Sequence, residues 1–491
     1  MILQTFQIPK SSGPEEELYY RRKGTVQPAE TGILLEEGCI LDTDTYMNIL
    51  DVAAWKKYTA VSELYLDIVL SGTGKLLIFL EEENNDRMVL SELDFSEEKK
   101  RTCSFRINKE IKTGFIFFSL KALKATYLYK ACYRSEEDMT NEVYLSLIIC
   151  TYKRQQQLEK NMQVLMQSRF FTKNSRQYGH LFLRIVDNAS EIKCGSRNFV
   201  RIYHNENTGG SGGFSRGIQE TENELEEYPA THLLLSDDDV EISEESLYRL
   251  YALLSLMKPE YHRETISGRM FRMDHKEIQY TALEIWNRGD IRHIGWNQNM
   301  TVKENLWTMN QNQRGEYSGW WFACFPLISV KGQLPLPFFL HCDDVEYGLR
   351  QGGEPIILNG IQVWHETYEN RQNPILAYYD MRNSQIVNAM YDYLPEKEQM
   401  LKDWFHKISC AHQKEDYETE YMLIKGMRDY CRGYEWFMKA DVSKIHKILQ
   451  RKRFLIKWKN KILWRYVYVL LNRENDNVRQ TYREKNCKGS K

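Results

Sequence analysis

The chain contains 491 residues, of which 42% are hydrophobic and 13% aromatic, so it is not intrinsically disordered and has apolar material for about two to four domain cores. Its net charge of −2 hides an asymmetry, because residues 444–491 contain 15 Lys and Arg against 3 Asp and Glu. A basic end on an otherwise acidic chain predicts contact with an anionic surface. We expect no nucleic-acid partner, because no nucleic-acid-reading motif accompanies this charge.

The sequence also bears on where the protein acts. No segment supplies the roughly 18 uninterrupted apolar residues of a membrane span, and the opening "MILQTFQIPKSSG" lacks the basic and apolar regions of a signal peptide. The ten cysteines show no CxxC spacing, so neither a zinc site nor a disulfide framework is predicted. We therefore expect a cytoplasmic protein that is peripheral on the inner face of the cell membrane.

Residues 1–140 are predicted to form a β-sandwich of the jelly-roll type. The segments "SELYLDIVLSG", "GKLLIFLEEE", "GFIFFSLKAL" and "ATYLYKACYR" alternate apolar and polar residues or form short apolar runs, as antiparallel strands do. The polar stretch "RSEEDMTNE" marks the end of this domain. The domain is either a scaffold or a carbohydrate contact, and the sequence leaves both readings open.

In residues 141–395, segments with the pattern of strands alternate with segments that are typical of helices. The strands are "VYLSLIICTY", "LFLRIVDNAS", "RIYHNEN" and "THLLLSDDD", which predicts an open α/β sheet. Ligands of such sheets bind at the carboxyl ends of the strands, where four polar loops of this sequence fall. Residues 396–491 are predicted to be helical to the end. The fold class is thus a multidomain α/β protein.

Three consecutive carboxylates, Asp237, Asp238 and Asp239, follow the buried strand "THLLLS". They could form the N-cap of a helix, but a cap needs only one carboxylate. Asp237 and Asp239, with Asp238 turned away, suit an octahedral Mg²⁺ or Mn²⁺ that also holds a diphosphate. The glycine-rich piece "HNENTGGSGGFSRG" lies roughly 25 residues before this cluster, and it is either a tight turn or a place where backbone N–H groups approach an anion.

The motifs "TYKR", "VDNAS", "NENTGGSGGFSRG", "SDDDV", "GWWF", "HCDDVEYGLR" and "VWHE" occur in this order. In this respect the chain resembles the inverting family 2 glycosyltransferases, and most closely the bacterial galactofuranosyltransferases that polymerise UDP-galactofuranose into galactan. The resemblance covers nearly the whole chain. It implies a central GT-A domain with a Rossmann-like open mixed sheet, between an N-terminal β-sandwich and C-terminal helices.

The resemblance implies roles for individual residues on the donor side. The metal ligands would be Asp237, Asp239 and His365, and the ion would be Mn²⁺ or Mg²⁺. The remaining donor contacts, to the uridine and the diphosphate, would come from Thr151, Arg154, Asp187, Asn188, Asn207, Gly212, Gly213 and Asp238. The loop after "TYKR" reads "QQQLEK", which departs from the family at the uracil contacts.

On the acceptor side the resemblance implies a catalytic base in "HCDDVEYGLR". We choose Asp344 as the base that takes the proton from the acceptor hydroxyl, with Asp343 as an acceptor-binding partner, although spacing does not decide between these neighbours and a capping role stays open. Trp320 and Trp321 would border the acceptor pocket, with core packing as the alternative. The segment "AYYDMRNS" also resembles a family helix, but we do not count its Tyr379, Arg382 and Asn383 among the ligand contacts.

The predicted function is metal-dependent transfer of galactofuranose, with inversion, from UDP-galactofuranose to a growing cell-surface glycan, on an acceptor that could be polyprenol-linked. Alternatives are the same mechanism with another nucleotide sugar such as dTDP-rhamnose, or an inactive carbohydrate-binding scaffold. The expected partners are a UDP-sugar, a glycan or glycolipid acceptor and an anionic membrane, and a homo-oligomer remains open. The predicted membrane contact is an amphipathic basic helix with apolar residues at three- or four-residue steps, Leu455, Trp458, Ile462, Tyr466 and Leu470, although a core helix could show the same stripe.

Overall fold

A computed structural model describes residues 1–10, 13–82, 86–193, 195–309, 314–367, 373–451 and 456–485. It shows a mixed α/β protein with two large sheets and a group of C-terminal helices. Leu455 lies outside the described residues, and so does the side chain of Trp458.

The described N-terminal region forms one connected antiparallel sheet of ten strands. A short helix, α1 (Val52–Tyr58), and a 3-10 turn (Pro14–Leu18) interrupt them. The strands are β1 (Ile2–Thr5), β2 (Arg21–Lys23), β3 (Val26–Pro28), β4 (Ile33–Leu35), β5 (Ile40–Asp42), β6 (Leu50–Asp51), β7 (Leu64–Glu81), β8 (Arg87–Ile107), β9 (Phe115–Ala122) and β10 (Thr126–Ser135).

Strand β7 organises this region because it pairs with different strands along its length. Its first half, up to Ser71, pairs with β10, and its second half, from Gly74, pairs with β9. The change falls at Gly72, whose φ of 109° only glycine adopts without strain, and a β-bulge in the pairing with β8 lies at the same place. A strand that changes partners at a bend can pass between two layers, as the predicted β-sandwich requires. The division into two layers stays a prediction.

The central region alternates strands and helices in chain order. Two further 3-10 turns (Arg169–Phe171 and Pro259–Tyr261) lie among them. Its elements are β11 (Leu145–Thr151), α2 (Gln155–Gln167), β12 (Leu181–Asp187), β13 (Val200–His204), α3 (Gly209–Asn223), β14 (His232–Asp237), β15 (Glu241–Ile242), α4 (Glu244–Ser255), β16 (Ile266–Arg272), β17 (Ile278–Thr281), β18 (Leu283–Asn287), β19 (Asp290–Ile294), β20 (Gln298–Asn299), α5 (Lys303–Thr308), β21 (Ala323–Pro326), α6 (Leu327–Val330), α7 (Asp343–Gln351) and β22 (Ile356–His365).

The strand order of the central sheet places the polar loops together. The order is β13-β12-β11-β14-β21-β16-β17-β20, and β13, β12, β11 and β14 are parallel. Strand β22 runs parallel to β16, whereas β21 is antiparallel to both of its neighbours. The order reverses direction at β11, and a crevice forms at the carboxyl ends of the strands at such a point. The ends of β11, β12 and β14 are Thr151, Asp187 and Asp237, which therefore share one edge.

The N-terminal sheet is packed firmly against the central sheet. Glu245 in α4 accepts hydrogen bonds from the backbone N–H and the hydroxyl of Thr5, at 2.8 and 2.6 Å. The side-chain amide of Asn359 donates to the carbonyl oxygens of Tyr46 and Ile49, at 3.1 and 3.0 Å. One buried hydrophobic cluster runs from Leu3 through both sheets. These contacts join the N-terminal sheet to the central sheet, and they are compatible with both a scaffold and a carbohydrate contact.

The C-terminal helices begin before the predicted boundary at residue 396. They are α8 (Pro374–Met390), α9 (Lys397–Gln413), α10 (Tyr417–Tyr430), α11 (Tyr434–Lys439), α12 (Val442–Leu449) and α13 (Ile456–Arg483). Helices α8 and α10 approach closely at Gly426, where a Cβ atom would lie 2.7 Å from the carbonyl oxygen of Tyr378. Helix α8 therefore packs with the later helices, and it also reaches the central region.

Helix α13 has two apolar faces. Val467, Leu471 and Tyr482 are fully buried against the other helices. Ile462 and Tyr466, which belong to the predicted membrane stripe, are 63% and 56% exposed. Within the described residues, every helix is too short or too polar to cross a lipid bilayer.

Candidate functional site

Two aspartates and one histidine meet at the carboxyl edge of the central sheet. Asp237 ends β14, Asp239 follows it in the turn, and His365 ends β22. The Nε2 atom of His365 lies 2.9 Å from Oδ1 of Asp239 and 3.7 Å from Oδ2 of Asp237. One ligand atom from each residue lies within 4.8 Å of the others, so the three side chains could hold one metal ion.

Asp238, the middle residue of the three aspartates, does not join His365 and contacts residues at and just after the end of β11. Its carboxylate accepts hydrogen bonds from the hydroxyl of Thr151 at 2.7 Å and from Nη1 of Arg154 at 2.9 Å. The same Nη1 atom lies 2.7 Å from Oδ2 of Asp239. Arg154 thus offsets part of the negative charge, while Asp238 anchors the turn to the end of β11.

The remaining negative charge favours a bound cation. The pKa of Asp237 is raised to about 7. The largest cause is burial in the crevice, and the second is the negative charge of the neighbouring Asp239. The side chain of Asp237 is 34% exposed, so the crevice is open to a ligand on this side. Two carboxylates and an imidazole form a donor set that accepts Mn²⁺ or Mg²⁺, and a cation there would hold both carboxylates in the charged form. The residues present therefore fit the predicted metal.

The glycines of α3 allow close packing at its first turns. Gly209 has a φ of 73°, and a Cβ atom there would lie 2.0 Å from the carbonyl oxygen of Phe339. A Cβ atom at Gly213 would lie 2.1 Å from the sulfur of Cys150, and one at Gly212 would meet the side chain of Thr208. Close packing thus accounts for these glycines. Their predicted contact with the donor diphosphate is a separate proposal.

The predicted nucleotide contacts Asp187 and Asn188 also hold the loops around them. The carboxylate of Asp187 accepts from the backbone N–H groups of Ala189 and Ile192, at 3.0 and 2.7 Å. The side-chain amide of Asn188 donates to the carbonyl oxygen of Gly209 at 2.9 Å. These bonds connect the end of β12 to the start of α3.

Asn207, the third predicted contact in these loops, lies at the base of the glycine-rich helix. Its Oδ1 atom accepts from the N–H of Gly209 at 3.1 Å. The hydroxyl of Ser443, in α12, donates to the carbonyl oxygen of Asn207 at 2.6 Å. The C-terminal helices therefore border the predicted donor loop, a contact that no local pattern of the sequence indicates.

The candidate base lies at the start of α7, after a strained segment. Phe339, His341 and Cys342 have φ angles of 77°, 61° and 66°, a left-handed conformation that is unfavourable for residues other than glycine. Asp343 and Asp344 form the first turn of α7. A Cβ atom at Gly210 would lie 3.4 Å from Oδ2 of Asp343, so Asp343 faces the glycine-rich helix.

Arg382 and Asn383 of α8 hold this strained segment in place. Both are buried, and Nη2 of Arg382 donates to the carbonyl oxygen of Phe338 at 2.6 Å. The amide of Asn383 donates to the carbonyl oxygens of Leu340 and His341, at 2.7 and 2.9 Å. These side chains therefore position the start of α7.

Asp344 has neighbours that the sequence did not reveal. The pKa of Asp344 is raised well above its usual range, mainly by burial and then by the negative charges of Asp343 and Glu284. Burial also raises the pKa of Asp343, to about 6. Glu284 of β18 and Tyr317 pair in an isolated β-bridge, and both side chains are buried. Burial raises the pKa of the Tyr317 phenol most, and the charges of Glu284 and Asp344 raise it further. The signal in the sequence was Glu284 itself, an acid inside the apolar strand "ALEIW".

The two adjacent tryptophans lie in the core. Trp320 is 4% exposed and packs against the rings of Phe214 and Tyr347. Trp321 is 2% exposed, and its indole N–H donates to the carbonyl oxygen of Gly268 at 2.8 Å. In this structure neither ring presents a face to the crevice solvent, so the packing interpretation accounts for both residues. A sugar stacked on either ring would require the surrounding side chains to move.

Similarity to known proteins extends over most of the chain. It is 21% identical to galactofuranosyltransferase GlfT2 of Mycobacterium tuberculosis over 86% of this chain and 70% of that protein. It is also 21% identical to galactofuranosyltransferase GlfT2 of Mycolicibacterium smegmatis, over 83% of this chain and 66% of that protein. The chain thus spans about two-thirds of the length of these relatives. No family model matches the sequence.

Solved structures give weaker likenesses. A mannosyltransferase from Pyrobaculum calidifontis, in complex with GDP-Man and Mn²⁺, matches 69% of this chain and 90% of its own at 9% identity and a TM-score of 0.30. A carbohydrate-binding module of a Zobellia galactanivorans laminarinase matches 23% of this chain and 91% of its own, at 13% identity and a TM-score of 0.18. These scores are too low to support the fold, which follows from the strand order of the central sheet. The similarity that remains is to the two glycosyltransferases named above.

Proposed function

We propose that the protein is a metal-dependent, inverting GT-A glycosyltransferase that transfers galactofuranose from UDP-galactofuranose to a growing cell-surface glycan. The observation that carries this proposal is the cluster of Asp237, Asp239 and His365, which lies in one crevice with Asp343 and Asp344. Asp343 faces Gly210 of the glycine-rich helix at this edge. Consistent with that placement, the charge of Asp343 raises the pKa of Asp237, and the charge of Asp237 raises the pKa of Asp344. The similarity to two galactofuranosyltransferases supports the same reaction.

The residues of the crevice divide between donor and acceptor. Asp237, Asp239 and His365 would hold Mn²⁺ or Mg²⁺, which when bound neutralises the charge that develops on the leaving diphosphate. Arg154 adds a positive charge beside the same carboxylates. On the other side of the crevice, Asp344 takes the proton from the acceptor hydroxyl as that oxygen attacks the anomeric carbon. Its raised pKa makes it a better proton acceptor once it is ionised.

Asp343 and Asp344 receive different roles from their surroundings. Asp343 faces Gly210 on the donor side, whereas Asp344 lies near Glu284 and Tyr317. This arrangement supports Asp344 as the base. Asp343 would then bind the acceptor.

The decisive experiment offers the purified protein a panel of nucleotide sugars with Mn²⁺ and a galactofuranose disaccharide acceptor. We expect free UDP and an elongated product from UDP-galactofuranose, and neither from dTDP-rhamnose or UDP-glucose. The Asp344→Asn variant is the matched negative control. Turnover of dTDP-rhamnose instead would change the donor but keep the mechanism, and no release of nucleoside diphosphate from any sugar would favour an inactive carbohydrate-binding scaffold.

We also propose a peripheral contact with the anionic inner face of the membrane, made by the outer face of α13. Ile462, Tyr466 and Val469 are exposed at helical spacing, which gives this face an apolar stripe. The flanking cationic side chains are exposed as well, and they are Lys459, Lys461 and Arg465. An apolar stripe between basic residues is the pattern of a helix that lies in a lipid interface. A lipid-linked acceptor would then be presented to the crevice at the membrane surface.

A further inference from the structure

A second cleft lies beside the candidate active site, between the β18–β19 hairpin and helices α8 and α9. Its volume is about 500 Å³, which is within the usual range for small-molecule sites. Met381, Met400 and Met427 line it together with Trp404, and all four side chains are buried. Polar residues of the hairpin and of α9 form its exposed rim.

Two polar groups that line this cleft lack hydrogen-bond partners within the described part of the chain. The indole N–H of Trp404 and the side-chain carbonyl of Gln385 are buried without a partner. The Oδ1 atom of Asn388 accepts from the indole N–H of Trp286 at 2.7 Å, which turns its NH₂ group away from Trp286. Unpaired buried polar groups are destabilising, and they mark a place where a ligand or water supplies the missing bonds.

Strand β18 connects this cleft directly to the candidate base. Successive side chains of a strand point to opposite faces, so Glu284 and Trp286 lie on the same face, about 7 Å apart along the strand. Glu284 lies near Asp344, and Trp286 is bonded to Asn388 in the wall of the cleft. The same face of β18 therefore leads from the candidate base to the wall of the cleft.

The lining indicates a neutral ligand with many hydroxyl groups. The rim charges balance, because Arg288 and Lys407 stand against Asp290 and Asp403. This balance gives no preference for a phosphate or for a cation. An alkyl chain would leave the polar groups of Gln385 and Trp404 unpaired. This lining suits sugar rings. Its amide and charged side chains can hydrogen-bond to the hydroxyl groups at the ring edge, and its buried apolar side chains can pack against the C–H faces.

We propose that this cleft is an acceptor subsite that binds the glycosyl residues behind the one being elongated. The inference rests on the proposed function for the identity of the acceptor, but the binding itself can be measured without turnover. A chain of several residues would occupy the cleft and the crevice at once, whereas a short acceptor would occupy only the crevice. The cleft would therefore set the preference for longer acceptors.

The kinetic test compares acceptors of two lengths, a disaccharide and a pentasaccharide of galactofuranose. In the Gln385→Met variant, we expect the ratio of kcat/KM for the pentasaccharide to that for the disaccharide to fall about tenfold, the effect of lost hydrogen bonds to the longer chain. Arg288→Ala, on the exposed rim, should lower the same ratio. Gln413→Met is the matched control, since Gln413 is exposed on α9 outside the cleft. An unchanged ratio in both cleft variants would overturn the inference.

A binding measurement separates this inference from the proposed function. Saturation-transfer NMR with the pentasaccharide would use the full-length Asp344→Asn protein, with and without Gln385→Met and in the absence of donor. We expect the added substitution to weaken binding about tenfold, even if no donor sugar is ever transferred. Equal affinity in the two proteins would reject the subsite. The same two proteins would also be tested for binding to vesicles that contain polyprenyl phosphate. The subsite would be rejected if Gln385→Met weakened binding to these vesicles but not to the pentasaccharide.

Discussion

The side-chain amide of Asn383 donates a hydrogen bond to the carbonyl oxygen of His341 at 2.9 Å. Asn383 belongs to α8, whereas His341 belongs to the left-handed segment that precedes Asp343 and Asp344. This contact lets a helix of the C-terminal group fix the direction of the candidate base. The backbone of the segment is unfavourable by itself, so the bonds from α8 are what hold it.

The first prediction concerns this positioning. Asn383→Asp removes both amide donors and sets a carboxylate against carbonyl oxygens, so kcat should fall by about 10- to 100-fold while the KM for the donor changes little. Steady-state kinetics with a thermal melt would check this. Asn373→Asp is the matched control, because an aspartate at this N-cap can still accept from Ile375.

Arg382→Lys tests the same positioning of the segment before Asp343, in case Asn383→Asp does not fold. Lysine keeps the charge but cannot reproduce the three hydrogen bonds that Arg382 donates, to Phe338, Asn383 and Tyr378. We expect an intermediate loss of kcat. A folded variant of either residue with full kcat would show that α8 does not position the base.

The second prediction links function to stability at Asp344. Because its pKa is raised in the folded protein, folding favours the protonated form, and stability falls as the pH rises above the unfolded value near 4. Asp344→Asn stays neutral, so at pH 7 it should abolish transfer yet raise Tm by about 2–4 °C. Differential scanning calorimetry at pH 5 and pH 8 would show the gain growing with pH. Asp138→Asn, at an exposed site, should show no such gain.

The third prediction concerns the metal cluster. If this cluster binds Mn²⁺ in the folded state, as we propose, Mn²⁺ should raise Tm of the wild-type protein by an amount that increases with its concentration. In Asp239→Asn this increase should largely disappear, and transfer should fall at least about 100-fold, since one of three ligands is lost. Glu241→Gln is the control, because Glu241 is paired with Lys276 on the other side of the turn. A thermal shift by Mn²⁺ that is equal in all three proteins would place the ion elsewhere.

The fourth prediction concerns the outer face of α13. Deleting residues 444–491 would also remove the buried Val467, Leu471 and Tyr482, so loss of membrane binding in that deletion would be ambiguous. The double variant Ile462→Ser and Tyr466→Ser changes only exposed side chains. It should reduce sedimentation with phosphatidylserine vesicles by at least about tenfold, through loss of buried apolar area. Transfer to a water-soluble disaccharide should persist, and Met438→Ser, at another exposed apolar residue, is the control.

The sequence predicted the elements of the central region well, because local patterns specify them. Apolar strands that end in Thr151, Asp187 and Asp237 are recognisable from a few residues each, and parallel pairing then brings their ends to one edge. The position of His365 followed only from the family resemblance. A lone histidine after a strand has no local signature of metal binding.

The residues around the candidate base were not predictable in the same way. Glu284, Tyr317 and Asn383 come from three segments of the chain that span about 100 residues, and no local periodicity shows that they meet. Burial of Trp320 and Trp321 likewise depends on partners such as Phe214. Two adjacent tryptophans look the same in a sequence whether they line a pocket or fill a core.

The positions of strands and helices in the central region, and of the acids that follow β14 and begin α7, could be predicted from the amino-acid sequence, because short-range periodicity and turn chemistry depend on neighbouring residues. The three-dimensional fold was needed to show that Asp238 accepts from Arg154, that Asn383 holds the segment before Asp343, and which face of α13 is exposed. Those outcomes depend on packing between elements far apart in the chain, where side-chain shape and burial select one arrangement among many.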